Sequence, residues 1–158
     1  MTAGGASVLE TLEFPAALAR VAAHAAGPLG AARVMSRTPA ADRAAIRAAL
    51  AQVAELAALL LTDDGIRAEP VADLSATLEL LAVPGSALEG LALADLTAGL
   101  AAARVTAAAL KRLAEGAPRT AMLRTDPPPK ELETRLAQAI APDGTVLDGA
   151  SKALARAR

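Results

Sequence analysis

The sequence predicts an all-α fold, an antiparallel multi-helix bundle with a short extended segment near residues 144–148. Its 158 residues are 54% hydrophobic, and much of that fraction is alanine, the best helix former. Phe14 is the single aromatic residue, so a core has to be built from Leu, Val, Ile and Ala. Apolar residues also recur three and four positions apart along much of the chain, which is the spacing of one helix face.

Start and stop signals predict three helices in the first part of the chain. Phe14-Pro15 begins the first helix, because proline is tolerated in the first helical turn, and Gly27-Pro28 ends it. Residues 28–35 form a short second helix. Thr38-Pro39 opens a longer third helix, which Asp63-Asp64-Gly65 stops. The third helix carries apolar residues with a spacing of 4, 3, 4 and 3: Ile46, Leu50, Val53, Ala57 and Leu60.

Further helices follow in the middle of the chain. Asp73 is placed to cap a short helix that Pro84-Gly85 ends. The next helix is long, and its start has two possible caps: Ser86 in a capping box with Glu89, or Glu89 itself before Gly90. Residues 116–118 close this helix, and Pro129 begins another that runs to about residue 140.

The C-terminal segment, residues 143–158, has a pattern of its own. Pro142-Asp143-Gly144 is a turn, residues 145–147 are extended, and Asp148-Gly149 breaks the extended stretch. Ser151 then stands as the N-cap of a helix too short to be stable alone. We therefore predict a helical core domain, residues 1–142, and a connector, residues 143–158, that begins a helix cut short.

Composition and motifs exclude several classes of function. The formal net charge of −1 argues against a free-standing nucleic-acid clamp, and the lack of cysteine excludes thiolate metal sites. The sequence contains no GxxxxGK[ST] phosphate loop, no GxGxxG after a strand and no nucleophile elbow. It has no signal-peptide pattern, and charges interrupt its apolar stretches, so we expect a cytoplasmic location and no membrane partner.

Individual polar groups have simple structural interpretations. His24, the one histidine, lies among alanines and is expected to pack at a helix flank rather than act as a base. Asp63-Asp64 before a glycine is typical of a solvated helix end rather than a cation site. Glu131 and Glu133 lie on different sides of their helix, which makes them a poor catalytic pair. We expect no catalytic, cofactor or metal residues.

Basic residues are the remaining candidate site, because contacts with phosphates need clustered cations. Most clusters are mixed with acidic residues, which is typical of a solvated helix face. These mixed clusters are Arg33 with Arg37, Arg43 with Arg47, and Arg104 with Lys111 and Arg112. No acidic residue follows Asp148, so the predicted nucleic-acid contacts are Lys152, Arg156 and Arg158.

Two stretches of the sequence resemble a known family. LETLEFPAALARVAAHAAGPLGAARV, residues 9–34, is similar to the N-terminal opening of bacterial MutS-like proteins of the second branch, with its LEF helix start and PLG turn. DGTVLDGASKALARAR, residues 143–158, is similar to the DG-x-V-x-D-x-A-S-x-x-L segment that precedes their lever and clamp helices. His24 departs from the pattern, since an aromatic residue is common at that position.

The resemblance implies the helical core and lever region of a protein without mismatch-reading domains, in which residues 143–158 are a connector and the start of a truncated lever or clamp helix. In the whole protein it implies a DNA-gripping clamp, a dimerising ATPase that uses ATP and Mg, and often a small nuclease domain. The implied partners are branched or double-stranded DNA, ribosomes, or both, in recombination suppression or the rescue of collided ribosomes. The ATPase and nuclease motifs are absent from this sequence, so we expect no cofactor and no enzymatic activity from this chain.

One alternative comes from a different class of protein. A self-contained helical adaptor would bind a protein partner through an exposed Leu/Ala groove. A small helical-bundle enzyme is a third possibility, but the sequence lacks convergent titratable groups.

Overall fold

A computed structural model describes residues 8–62, 66 and 69–157, and the regular elements in these residues are all helical. They are α1 (Phe14–Ala22), α2 (Pro28–Met35), α3 (Arg43–Leu60), α4 (Ser75–Leu81), α5 (Gly90–Arg112), α6 (Pro118–Ala121), α7 (Lys130–Ala139), a 3-10 helix (Asp148–Ala150) and α8 (Lys152–Ala157). Residues 8–11 are helical as well. The predicted all-α class is confirmed.

The first two labelled helices, α1 and α2, pack against each other. Pro15 and Pro28 lie in their first turns, as predicted. The prediction that His24 packs at a helix flank is wrong. Because α1 ends at Ala22, His24 lies beyond the helix and is exposed.

Helix α3 begins later than the sequence pattern predicts. The prediction of a start at Thr38-Pro39 is wrong, because the Asp42 carboxylate caps the helix by accepting a hydrogen bond of 2.9 Å from the backbone N–H of Ala44. The helix ends at Leu60, and the predicted stop signal at residues 63–65 lies outside the described residues.

The starts of α4 and α5 test the caps that the sequence predicts there. The Asp73 carboxylate accepts a hydrogen bond of 2.9 Å from the backbone N–H of Ser75, the first residue of α4, but the N-cap position is Leu74, so the predicted cap lies one residue too early. Of the two predicted starts for α5, the one at Gly90 is correct. Ser86 does not cap α5, because its hydroxyl instead donates a 2.7 Å hydrogen bond to the carbonyl of Leu80.

The core lies around the C-terminal half of α5. Among the described residues, those buried from solvent are Ala107, Leu110, Leu113, Ala117 and Thr120. Helix α7 packs along α5, and α6 packs against both α3 and α5. The sequence pattern did not predict α6, since residues 116–118 read only as the end of the preceding helix.

The C-terminal segment folds back on the end of α7. The backbone N–H of Ala141 donates to the carbonyl of Thr145 at 2.9 Å, and that of Leu147 donates to the carbonyl of Ala139 at 2.8 Å. These bonds confirm the short extended stretch. Ser151 caps α8 as predicted: its hydroxyl oxygen accepts a 3.1 Å hydrogen bond from the N–H of Leu154. The division into two units at residue 142 stays a prediction.

Among the described helices, α5 is the one long and apolar enough to cross a membrane, with an 18-residue window of mean hydropathy 1.3. Length and composition are the only grounds for this, and the core helix of a soluble protein meets the same criterion. A single helix of this kind is weak evidence for a membrane span.

Candidate nucleic-acid interface

The predicted C-terminal contacts lie on the last helix. Lys152 and Arg156 are four residues apart on α8 and both are exposed, while Arg158 lies outside the described residues. Neither Lys152 nor Arg156 takes part in the ion pairs found in the described part of the chain. Both cations therefore project into solvent, where an anion can reach them.

The earlier basic pairs lie on both sides of the segment between α2 and α3. Arg33 is on α2, Arg37 follows its end, and Arg43 and Arg47 are on α3. All four are exposed. They are typical of solvated helix faces, as the sequence indicated.

The basic residues of α5 divide into one paired and two solvated cations. Arg104 forms a two-bonded ion pair with Glu133 of α7, with Nε to Oε2 at 2.7 Å and the second guanidinium nitrogen to Oε1 at 2.9 Å. These hydrogen bonds hold the pKa of Glu133 below its usual value. Lys111 and Arg112 are exposed at the end of the same helix. Arg104 thus serves to join α5 and α7, leaving Lys111 and Arg112 as the solvated cations.

Arg124 and Lys111 both line two shallow grooves beside α5. One groove, of about 320 Å³, contains both cations among apolar residues such as Leu110 and Met122, and the other, of about 220 Å³, contains both together with Asp126. The Arg124–Asp126 ion pair is 3.5 Å long, and Asp126 is 92% exposed, so this pair is weak. Sequence reasoning missed Arg124, because the fold brings it beside α5 only after the turn formed by α6.

Glu55 links α3 to the core by capping α6. Its carboxylate accepts hydrogen bonds from the backbone N–H of Arg119 at 3.0 and 3.2 Å and from that of Thr120 at 3.4 Å. The Gln52 side-chain amide also donates to the Arg119 carbonyl at 2.9 Å. Helix α3 therefore presents polar residues to α6, a contact that the apolar spacing alone did not indicate.

An apolar groove of about 530 Å³ lies between α5 and the end of α7. Most of its lining residues are small, including Ala98, Ala101 and Ala137, with Ile140 and Leu147 at its edge. Small side chains let another helix or an extended peptide approach closely. This groove is the feature that the adaptor alternative requires.

The described residues contain no group of three or more His, Asp or Glu side chains that could hold a metal ion. Glu131 is exposed and Glu133 is bound to Arg104, so these two carboxylates do not act together. Asp63-Asp64 lies outside the described residues.

Fold and site together define the class: an all-helical protein in which the Arg104–Glu133 ion pair and the Glu55 contacts join helices, while cations such as Lys152 and Arg156 lie at the surface. No family model and no solved structure matches the chain. The chain is 36% identical, over 157 residues, to a protein named Endonuclease MutS2 from Gemmatimonas aurantiaca. The aligned part covers 97% of this chain but only 19% of that relative. The resemblance to second-branch MutS proteins is therefore confirmed, for a chain that spans about a fifth of the relative's length.

Proposed function

We propose that this chain is the helical scaffold segment of a MutS2-type DNA-binding ATPase, and that its role is mechanical. The observation that carries the proposal is the 36% identity over 97% of the chain. In the whole protein, the scaffold would transmit the state of the ATPase to a clamp that holds nucleic acid. The chain itself has no phosphate loop, so ATP and Mg would bind elsewhere in the protein.

The contacts around α5 support a mechanical role. Helix α5 has 23 residues and so is roughly 35 Å long, enough to cross a small domain. The Arg104–Glu133 pair fixes α7 to it, and Glu55 fixes α3 to the core through α6. A movement applied to one of these helices would be passed to the others, because packed elements move as units rather than deform continuously.

The partners follow from the same resemblance. Branched or double-stranded DNA, the ribosome, or both would bind the whole cytoplasmic protein, which would act as a homodimer in recombination suppression or ribosome rescue. In this chain Lys152, Arg156 and Arg158 would contribute contacts to phosphates. Such contacts are electrostatic, so binding by the isolated chain would be weak and would fall steeply with salt.

A titration of the pure chain tests this proposal. Fluorescence anisotropy with a labelled four-way junction, repeated over a range of salt concentrations, should show weak binding that the double variant Lys152→Ala, Arg156→Ala reduces strongly. The matched control is Arg33→Ala with Arg37→Ala, which also removes two exposed cations four residues apart. Equal loss in both variants, or tight binding that survives loss of the α8 cations, would rule out the predicted interface. ATP turnover by the pure chain would overturn the scaffold role itself.

The apolar groove between α5 and α7 favours the adaptor as a second candidate function. An adaptor would bind an amphipathic helical peptide in the groove, with little salt dependence and without any affinity for DNA. Ala101→Leu, which would partly fill the groove, should then abolish peptide binding. The scaffold proposal instead predicts weak, salt-dependent binding in the DNA titration and no binding in the peptide titration.

A further inference from the structure

The C-terminal end of α5 carries two cations that the fold brings together from different segments. Lys111 lies in the last turn of α5, and Arg124 follows the end of α6. Both side chains are exposed, and both line the two grooves of about 320 and 220 Å³ described above. The two grooves therefore share these cations, which we call the α5 cation pair.

Little negative charge offsets the α5 cation pair. Among the described residues, no carboxylate lines the larger groove, and Asp126 alone lines the smaller one. The Asp126 carboxylate is 92% exposed and lies 3.5 Å from the Arg124 guanidinium, so water screens most of its attraction. Glu115, four residues after Lys111, is exposed, lines neither groove and takes no part in the ion pairs of the described residues. The pair is therefore open to an anion from outside the chain.

The surroundings of the pair favour a polyanion over a single small anion. Arg104, the third cation at the smaller groove, is already bound to Glu133. The backbone N–H groups of Arg119 and Thr120 donate to Glu55, so the start of α6 does not offer them to a phosphate ion. Exposed side chains alone hold a small anion weakly, whereas contacts with successive charges of a polyanion add together.

We propose that the α5 cation pair binds the backbone phosphates of nucleic acid, as a second contact surface apart from the cations of α8. The inference rests on the proposed function, which brings nucleic acid to this chain. Charge complementarity and the shallow, open form of the grooves suit a backbone that runs across them.

The two surfaces belong to opposite ends of α5. The segment that leads to α8 packs at the start of α5, where the backbone of Gly144 lies against that of Gly90. The α5 cation pair lies at the other end. A helix of 23 residues is roughly 35 Å long, about the length of one turn of B-form DNA. A duplex that lies along α5 would then contact the chain near both ends.

Salt titrations of duplex binding test the second surface. Binding is followed by fluorescence anisotropy with a labelled duplex of about 20 base pairs, which is longer than α5. Lys111→Ala with Arg124→Ala should lower the slope of log affinity against log salt by about 2, because each phosphate contact contributes about 0.9. The matched control is Arg20→Ala with Arg135→Ala, which removes two exposed cations from α1 and α7. A change in slope no larger than that of the control would overturn the proposal.

The Asp126 carboxylate allows a test in the opposite direction. Asp126→Asn removes the acid beside Arg124, so the guanidinium loses its competing partner. Duplex binding should tighten by about two- to fivefold, the equivalent of one surface ion pair. Glu79→Gln, at an exposed glutamate of α4, controls for the change in net charge. Equal tightening in the two variants would assign the effect to net charge and count against the site.

Chemical restoration of the charge separates an electrostatic contact from a structural effect. The chain has no cysteine, so Lys111→Cys can be modified at a single position. Aminoethyl methanethiosulfonate restores a positive charge there and should return the duplex affinity towards that of the wild type. Methyl methanethiosulfonate adds a neutral group and should not. Equal affinities of the two adducts would contradict a phosphate contact at Lys111.

The α8 variant, Lys152→Ala with Arg156→Ala, distinguishes failure of this inference from failure of the proposed function. If the α8 variant weakens duplex binding more than the control and the variant of the α5 cation pair does not, the second surface alone is excluded. If the wild-type chain does not bind the duplex at all, both proposals fall. Binding of a polyglutamate peptide that depends on Lys111 and Arg124, with no effect of these residues on duplex binding, would assign the pair to an acidic protein and overturn the inference.

Discussion

Gly90 and Gly144 hold the start of α5 against the turn that follows α7 so closely that neither residue has room for a side chain. A Cβ atom on Gly90 would overlap the carbonyl oxygen of Gly144, and one on Gly144 would lie 2.6 Å from the backbone nitrogen of Leu91. Gly144 also has a φ of +82°, in the left-handed region that favours glycine. This contact ties the C-terminal segment to the central helix.

Substitution of these glycines by alanine should therefore destabilise the chain. Gly90→Ala would push the start of α5 away from the backbone at Gly144. It should lower the free energy of unfolding by about 1–3 kcal/mol, as overpacking does. Gly144→Ala adds the strain of its left-handed φ, so its cost should be at least as large. Urea denaturation followed by circular dichroism gives the free energy of unfolding.

Two other glycines serve as matched controls for that series. Gly85 has a φ of +81° but open space around it, so Gly85→Ala isolates the conformational strain, about 1–2 kcal/mol. Gly116 has neither constraint, and Gly116→Ala should be close to neutral or slightly stabilising. If Gly90→Ala were as mild as Gly116→Ala, the close contact would not exist in solution.

Leu110 is the larger of the two buried residues of α5, and only 6% of its surface is exposed. Leu110→Ala should lower the free energy of unfolding by about 2–5 kcal/mol, because it removes buried methyl groups and leaves a cavity. Leu91→Ala, at a leucine that is 63% exposed, should change it by no more than about 0.5 kcal/mol. Similar losses in the two variants would show that the core is not where the structure places it.

Glu55→Ala should destabilise α6 relative to the rest of the chain. It removes the carboxylate that caps the helix, so we expect a loss of about 1 kcal/mol, typical of a lost N-cap. Hydrogen exchange should be faster at the capped amides of Arg119 and Thr120. Glu79→Ala, an exposed glutamate on α4, is the control. Unchanged exchange at both amides would contradict the cap.

Stability should fall in acid because three carboxylates have lowered pKa values in the folded chain. Hydrogen bonds from Ser75 lower the pKa of Asp73, those from Arg104 lower that of Glu133, and those from Thr145 lower that of Asp143. A lowered folded pKa gives stability that is present above the unfolded value, roughly pH 4, and is lost as the pH falls through the folded value. Urea denaturation at pH 7 and pH 3 measures the loss.

Variants of the Arg104–Glu133 ion pair measure how much of this pH dependence comes from the pair. Glu133→Gln and Arg104→Met should each make the loss of stability between pH 7 and pH 3 smaller. The double variant should show no further change, because either substitution already removes the interaction. A pH dependence equal to that of the wild type in both single variants would contradict the lowered pKa of Glu133.

Local signals in the sequence were enough for most helix ends. The Pro15 and Pro28 starts, the Ser151 cap and the Gly90 start all follow from chemistry within a few residues. The start of α3 did not, because Thr38-Pro39 is a plausible start signal and only the hydrogen bond from the N–H of Ala44 to Asp42 shows where the helix begins. The predicted nucleic-acid contacts Lys152 and Arg156 are exposed as expected, and their function stays a prediction.

By itself, the sequence determined the all-α class, the apolar spacing of α3 and the resemblance to second-branch MutS proteins, because these depend on composition and on residues close in the chain. Tertiary structure alone decided which face of each helix is covered. It turned Glu55 of α3 towards Arg119, paired Arg104 with Glu133, placed Arg124 beside Lys111 and brought Gly90 against Gly144. Each of these contacts joins residues far apart in the chain or across a turn, and helical periodicity carries no information about which distant segment a helix face will meet.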